Sequence, residues 1–166
     1  SVDDTALPFA GSRQLQVDSS AVTAVRLTYV GELGYELHIP IDEVLPVYRT
    51  LMASGSDLGI RNAGYRAIES LRLEKAYRAW GSDLSPDHTP LEAGLGWAVK
   101  LSSETDFLGK DALLQQRRQG LKKQLACFTP QDSGINLIGR ETIFRDDQRV
   151  GWLTSAGFGH TVGCPI

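Results

Sequence analysis

Sulfur is scarce in this chain: two cysteines and one methionine among 166 residues. Cys127 and Cys164 have no cysteine or histidine neighbours at metal-ligand spacing, which argues against a structural zinc site and a disulfide scaffold. They read as free thiols in a reducing compartment, with one disulfide as the alternative, and Cys127 sits in an apolar run that suggests inert core. Histidine is equally sparse. His38, His88 and His160 are far apart and form no paired motif, so no metal centre is expected. Charge of one sign is also lacking. Seventeen Lys and Arg against 20 Asp and Glu leave a net charge of −3, so no bulk field favours nucleic acid or an anionic membrane. No apolar run approaches the roughly 20 residues needed to cross a bilayer. Ser1-Val2-Asp3-Asp4 is not the basic opening of a signal peptide. Finally, there is no Gly-x-Gly-x-x-Gly, no P-loop and no Gly-x-Ser-x-Gly elbow, so neither a dinucleotide or triphosphate cradle nor a serine-hydrolase turn is suggested.

What remains is an ordinary globular composition, 42% hydrophobic and 22% charged, long enough to bury a core. Its most informative stretch is Tyr29-Val30-Gly31-Glu32-Leu33-Gly34-Tyr35-Glu36-Leu37-His38-Ile39-Pro40. Val25, Leu27 and Tyr29 alternate with polar residues before the glycines, and Leu37 and Ile39 do so after them. That pattern predicts a β-hairpin over 22–30 and 36–40, turning at Gly31–Gly34. Glu36 opens the returning strand, where an acid has poor β-propensity. It is either a solvated edge residue or a carboxylate hook for a ligand between two tyrosines.

Around this hairpin, residues 1–20 read as an irregular linker. Asp42 offers an N-cap to a helix with Val44, Val47, Tyr48, Leu51 and Met52 on one face, stopped by Gly55. A second helix is predicted over 63–79, closed by Gly81, with Tyr77 and Trp80 at its end. Its Glu69/Arg72 and Glu74/Arg78 spacings suit ion pairs or a solvated face. Pro86 and Pro90 punctuate a loop over 82–94. Leu95, Trp97, Val99 and Leu101 alternate as a strand would. Phe107-Leu108-Gly109-Lys110 leads into a third helix, to about Gln119, closed by Gly120. Short strands follow at 123–129, 141–145 and 148–154, the last two joined at Asp146-Asp147. The change of texture puts a domain boundary near 120. A first residue other than Met, and a final run over 161–166 that reads as an unfinished strand, lead us to expect part of a longer polypeptide.

The chemistry-bearing residues are aromatic and acidic: Tyr29, Tyr35, Glu36, Glu69, Tyr77, Trp80, Asp83 and Glu92. Tyr77 and Trp80 serve either as helix-end packing or as ligand contacts. Arg66, Arg72 and Arg78 either clamp an anion or coat a helix.

Four segments in fixed order resemble one family. They are Tyr-Val-Gly-Glu-Leu-Gly-Tyr-Glu-Leu at 29–37, Ser-Leu-Arg-Leu-Glu-Lys-Ala-Tyr-Arg-Ala-Trp-Gly-Ser-Asp-Leu at 70–84, Pro-Leu-Glu-Ala-Gly-Leu-Gly-Trp-Ala-Val-Lys at 90–100 and Phe-Leu-Gly-Lys-Asp-Ala-Leu at 107–113. Together they are similar to the folate-binding half of the dimethylglycine oxidase and sarcosine dehydrogenase family, itself related to the aminomethyltransferase (T-protein) of the glycine cleavage system. The resemblance implies an α+β fold: the C-terminal part of an aminomethyltransferase-type folate-binding domain over 1–120, then the start of a C-terminal β-barrel over 121–166. It implies a parent in which a flavin (FAD) domain oxidises an N-methyl amine. The one-carbon unit then passes to tetrahydrofolate, giving 5,10-methylenetetrahydrofolate. The partners implied are tetrahydrofolate and an upstream flavin domain of the same polypeptide, in the cytoplasm or, alternatively, the mitochondrial matrix.

Carried over residue by residue, the folate contacts are Tyr29 and Glu36, with Trp80 as an aromatic wall and Arg66, Arg72 or Arg78 as partner of the glutamate tail. A carboxylate such as Glu36 offers two acceptors to the adjacent N–H and amine of a reduced pterin. The family's catalytic aspartate lies upstream of the matching motif. Asp3, Asp4 and Asp18 do not sit in a corresponding motif, so no catalytic residue is expected in this chain, and this portion alone is expected to be inactive. A free-standing aminomethyltransferase and a non-catalytic regulatory relative are the alternatives.

Overall fold

The computed structural model describes residues 2, 3 and 5–166. They form two compact units, Ser1–Lys75 and Ala76–Ile166, each described by itself.

In the first unit, β1 (Ser12–Val17), β2 (Ser20–Val25) and β3 (Glu36–His38) form an antiparallel sheet in the order β1-β2-β3. The tight hairpin is β1–β2. Val17 pairs with Ser20 across two residues, and Asp18 takes the positive φ of 54° that an Asp tolerates in such a turn. This corrects the reading of 1–20 as a linker. The Gly31–Gly34 segment is likewise not a tight turn. It belongs to a ten-residue excursion over 26–35, between β2 and β3. The antiparallel pairing expected between its flanks exists but covers only Thr23↔His38, Ala24↔Leu37 and Val25↔Glu36. Leu27 and Tyr29 continue the alternation in sequence, yet lie beyond the last strand residue, Val25.

The buried positions of β2 repeat with period two at Ser20, Val22 and Ala24. This is the signature of a strand with one face on a core. The Ser20 hydroxyl donates to the Glu43 carboxylate, tying that face to the start of α1 (Val44–Ser54). A 3-10 turn over Ile41–Glu43 precedes α1, following Pro40, and no side chain caps either element. Asp42 is therefore not the N-cap expected. Val47 is the one buried residue of α1.

A second helix, α2 (Tyr65–Glu74), buries Arg72 and Leu73. It ends at Glu74, with Lys75 as its C-cap, five residues short of the expected end at 79. Ala76 has φ of 53°, a left-handed conformation that ends a helix at a cost for any residue with a Cβ. The sequence Lys-Ala-Tyr-Arg-Ala would by itself continue a helix.

In the second unit, Arg78 supplies a tertiary reason for the departure. Its guanidinium donates to the Ala93 carbonyl at 3.0 Å and to the Ala76 carbonyl at 2.7 Å, satisfying backbone acceptors that a helix would have used. The region 95–101 is not a strand. Ala98 N–H donates to Leu95 O, Val99 N–H to Gly96 O and Leu101 N–H to Val99 O. Consecutive turns, including a 3-10 turn at Gly96–Ala98, give Leu101 its buried place while leaving Trp97 exposed. The third helix matches expectation: α3 (Lys110–Gln119) lies between Gly109 and Gly120, both at positive φ.

Beyond it, 123–129 forms no strand, and Leu125 N–H instead donates to Glu92 O. Cys127 is exposed on this irregular segment, which corrects its reading as core. Then β4 (Thr142–Arg145) pairs with β5 (Gln148–Trp152) around Asp146 and Asp147. Both turn residues have positive φ, the backbone that a two-residue type I′ hairpin requires. Short strands β6 (Phe158–Gly159) and β7 (Cys164–Pro165) pair antiparallel. The buried residues of this unit are Asp83, Ala93, Leu101 and Ile166, with Gly159 and Pro165 beside them.

Candidate ligand-binding site

The 26–35 excursion positions the first group of candidate residues. Arg26 N–H donates to Gly11 O at 3.0 Å, and Ala10 N–H donates to Arg26 O at 2.9 Å. The chain thus leaves the sheet from a fixed point. Gly31 has φ of +73°, and a Cβ added there would fall 2.3 Å from the Lys75 side chain. Only glycine suits both demands. The Tyr35 hydroxyl donates to Val2 O at 2.8 Å.

Tyr29 is 38% exposed on this excursion. Glu36 opens β3 opposite Val25, and its side chain is 57% exposed. Its Oε2 lies 3.8 Å from His38 Nε2, two residues along the same strand face. A pair so exposed and so long contributes little to stability, so the carboxylate's acceptors are not committed to holding the fold together. Arg66, in the first turn of α2, is exposed.

The other two arginines are engaged. Arg72 is 1% exposed, and its Nε donates to Glu69 Oε1 at 3.0 Å, with a second donation from its terminal nitrogen to the same oxygen. Arg78 holds the carbonyls described above. Neither guanidinium is the free anion clamp that their spacing allowed.

Trp80 belongs to the second unit and is 75% exposed. It is not a helix-end residue. It flanks a turn closed by Asp83 N–H to Ala79 O, Leu84 N–H to Ala79 O and Gly81 N–H to Leu84 O.

One aromatic that lines a cavity is a residue the sequence pattern assigned to a strand. Trp97, 84% exposed, borders a cavity of about 440 Å³ with Leu91, Val99, Leu101, Ser102 and Arg117. The lining thus includes an indole and a guanidinium, groups suited to a planar and an anionic ligand respectively. Alternation concealed this residue. The signal that could have found it was the pair of glycines beside it in Gly94-Leu95-Gly96, which favours turns over a strand. A second cavity of about 380 Å³ lies over 106–112, at the start of α3.

Glu92 and Glu141 are held below the ordinary carboxylate range. For Glu92 the main cause is the hydrogen bond from the Thr89 backbone N–H. For Glu141 it is the bond from the Ile138 backbone N–H at 2.9 Å. Both groups stabilise local turns. Ser85, Asp87 and His88 also cluster, with Ser85 Oγ 3.1 Å from His88 Nδ1 and 3.3 Å from Asp87 Oδ2. The Ser85 N–H also meets that Nδ1, so the cluster is a closed local turn and not a nucleophile with its base. Among the described residues no group of His, Cys, Asp and Glu could hold a metal ion.

This arrangement matches known proteins over nearly its whole length. The GCVT N-terminal domain model matches residues 1–103, and the glycine cleavage T-protein C-terminal barrel domain model matches 123–166. The chain belongs to the glycine cleavage T-protein family.

Within this family it is 48% identical to the mitochondrial sarcosine dehydrogenase of Homo sapiens, over 97% of the chain but 17% of that protein. It is 39% identical to an aminomethyltransferase of Halothermothrix orenii, over 98% of the chain and 45% of that protein. The crystal structure of the glycine cleavage system aminomethyltransferase T from Bartonella henselae superposes with a TM-score of 0.76 at 29% identity. That match covers 95% of this chain and 42% of the other. The chain therefore spans less than half the length of these relatives. The mixed helix and sheet architecture, with a T-protein N-terminal region followed by the start of its barrel domain, is the α+β fold that the sequence motifs implied.

Proposed function

We propose that this chain is the tetrahydrofolate-binding region of a flavin-linked N-methyl amine dehydrogenase or oxidase acting on sarcosine or dimethylglycine. In this reading it receives the one-carbon unit onto tetrahydrofolate, giving 5,10-methylenetetrahydrofolate. The observation that carries the proposal is Glu36, an exposed carboxylate on a short edge strand. A fixed loop that also bears Tyr29 leads into it. Its two oxygens match the paired N–H donors of a reduced pterin, and a charge-assisted pair of this kind is strong and orienting. Tyr29 supplies a ring to pack against the pterin. For the p-aminobenzoyl-glutamate portion, Trp80 and Arg66 are the residues the motifs nominate.

The 48% identity to a sarcosine dehydrogenase named as mitochondrial supports the dehydrogenase reading over a free-standing aminomethyltransferase. It also supports the mitochondrial matrix as the compartment, with the cytoplasm as the alternative. FAD finds no dinucleotide-binding motif in this chain, so we assign it to a separate domain of a longer polypeptide. The catalytic aspartate is assigned outside this chain as well. The boundary near residue 120, between the folate-binding region and the barrel, is part of the same proposal.

The test is tetrahydrofolate binding to the full-length protein. Glu36→Ala is expected to weaken binding by about tenfold to a hundredfold, the range for losing hydrogen bonds to a charged group. Glu36→Asp should recover part of it. Unchanged affinity in Glu36→Ala overturns the assignment.

A further inference from the structure

Asp83 is the most deeply buried acidic residue of the second unit, 4% exposed, and the function proposed above does not use it. Its two oxygens face different parts of the chain. Oδ2 accepts the Ala79 backbone N–H at 2.9 Å. Oδ1 accepts the Ser155 hydroxyl at 2.8 Å and the Thr154 hydroxyl as well.

The first bond, with Asp83 N–H to Ala79 O, closes the turn that presents Trp80. The second and third reach 71 and 72 residues along the chain, to the segment just after β5. One carboxylate thus joins the region matched to the T-protein N-terminal domain with the region matched to its barrel domain. Burying a carboxylate is costly unless it is fully hydrogen-bonded. An acid in this place is therefore explained by what it connects. An apolar residue would fill the same volume without fixing either segment.

We infer that Asp83 is a positioning residue: it locks the Trp80 turn to the Thr154–Ser155 segment, so that order in the barrel region sets the placement of Trp80 for ligand contact. Two further links run in parallel. Leu125 N–H donates to Glu92 O at 2.8 Å, and Lys123 Nζ donates to Asp87 O at 3.3 Å. Neither touches the Trp80 turn. Asn in place of Asp83 keeps the size and, through its amide oxygen, the Ala79 N–H bond, but its NH₂ can only donate to the two hydroxyls, which lose the charged acceptor they share. Thr154→Val with Ser155→Ala removes the distant donors and leaves the turn's own bonds intact.

The ligand half of this inference rests on the folate reading, and the experiment separates the two. Amide hydrogen exchange is followed by mass spectrometry on the full-length protein and on Asp83→Asn, with Ser155→Ala as the milder variant should Asp83→Asn not accumulate folded. The expected result is faster exchange, by about tenfold or more, in both 79–84 and 153–156, with β4–β5 unchanged. Acceleration in only one segment, or in neither, overturns the lock. Tetrahydrofolate binding is then measured in Asp83→Asn, Trp80→Phe and the double variant. The expected result is that Asp83→Asn weakens binding about tenfold and adds little on top of Trp80→Phe. Normal affinity in Asp83→Asn, or losses that simply multiply, overturns the positioning role. If the unsubstituted protein does not bind tetrahydrofolate, the function proposed above fails, and the exchange result alone decides whether Asp83 locks the two segments.

Discussion

Thr89 and Glu92 cap each other. The Thr89 N–H donates to Glu92 Oε2 at 3.0 Å, and the Glu92 N–H donates back to Thr89 Oγ1 at 3.2 Å. This reciprocal capping box starts the turn of 90–93, whose last residue, Ala93, is buried and takes the Arg78 guanidinium on its carbonyl. The arrangement holds the Glu92 carboxyl below the usual carboxylate range. A carboxyl group depressed in the folded state contributes stability above its unfolded pKa, and that contribution is lost as pH falls through the folded value. The melting temperature of the full-length protein should therefore fall on acidification. In Glu92→Gln this fall should be shallower, while the melting temperature near neutral pH should be lower than the parent's. A parallel pH profile in the variant rejects the role assigned to Glu92.

The Arg72–Glu69 pair should show an asymmetry. Arg72 is buried and Glu69 is about one-third exposed on its side chain. Removing the acid leaves a buried guanidinium with fewer acceptors, whereas removing the base leaves a carboxylate that water can reach. Glu69→Ala is expected to destabilise the protein by about 1–3 kcal/mol, and Arg72→Met by less. Denaturant unfolding of both variants checks the order, and a larger loss in Arg72→Met contradicts it.

Gly31→Ala meets two obstacles, a left-handed backbone and the Lys75 side chain. The backbone term alone costs about 1–2 kcal/mol. Lys75→Ala in the same chain should relieve the contact and leave the backbone term. The double variant should thus recover part, but not all, of the loss in unfolding free energy. Full recovery would mean that the φ strain is negligible.

Leu7 and Leu108 test the core assignment. Leu7 is 1% exposed and Leu108 is fully exposed. Leu7→Ala should cost about 2–5 kcal/mol, and Leu108→Ala should stay within about 0.5 kcal/mol of the parent. Equal effects on the unfolding midpoint would contradict the burial described.

Features that depend on neighbours a few residues apart were legible in the order of the amino acids alone. α3 between Gly109 and Gly120, the Asp146-Asp147 hairpin and the face of α1 that buries Val47 follow from capping, turn chemistry and period, which are local. The four ordered motifs also placed the chain in its family. The other features arise only on folding, because long-range acceptors and donors overrode local preference. Arg78 draws the chain out of α2 by binding Ala76 and Ala93, so Tyr77 and Trp80 leave the helix that their neighbours favour. Asp83 finds hydroxyls more than 70 residues away. Trp97 alternates like a strand residue, yet consecutive turns place it on a cavity wall. The Gly31–Gly34 segment has the composition of a tight turn but spans a ten-residue excursion, because β2 stops at Val25 once its ladder to β3 ends. Backbone groups pair wherever partners are available on folding, and which distant partners come within reach is a property of the folded chain, not of any local window.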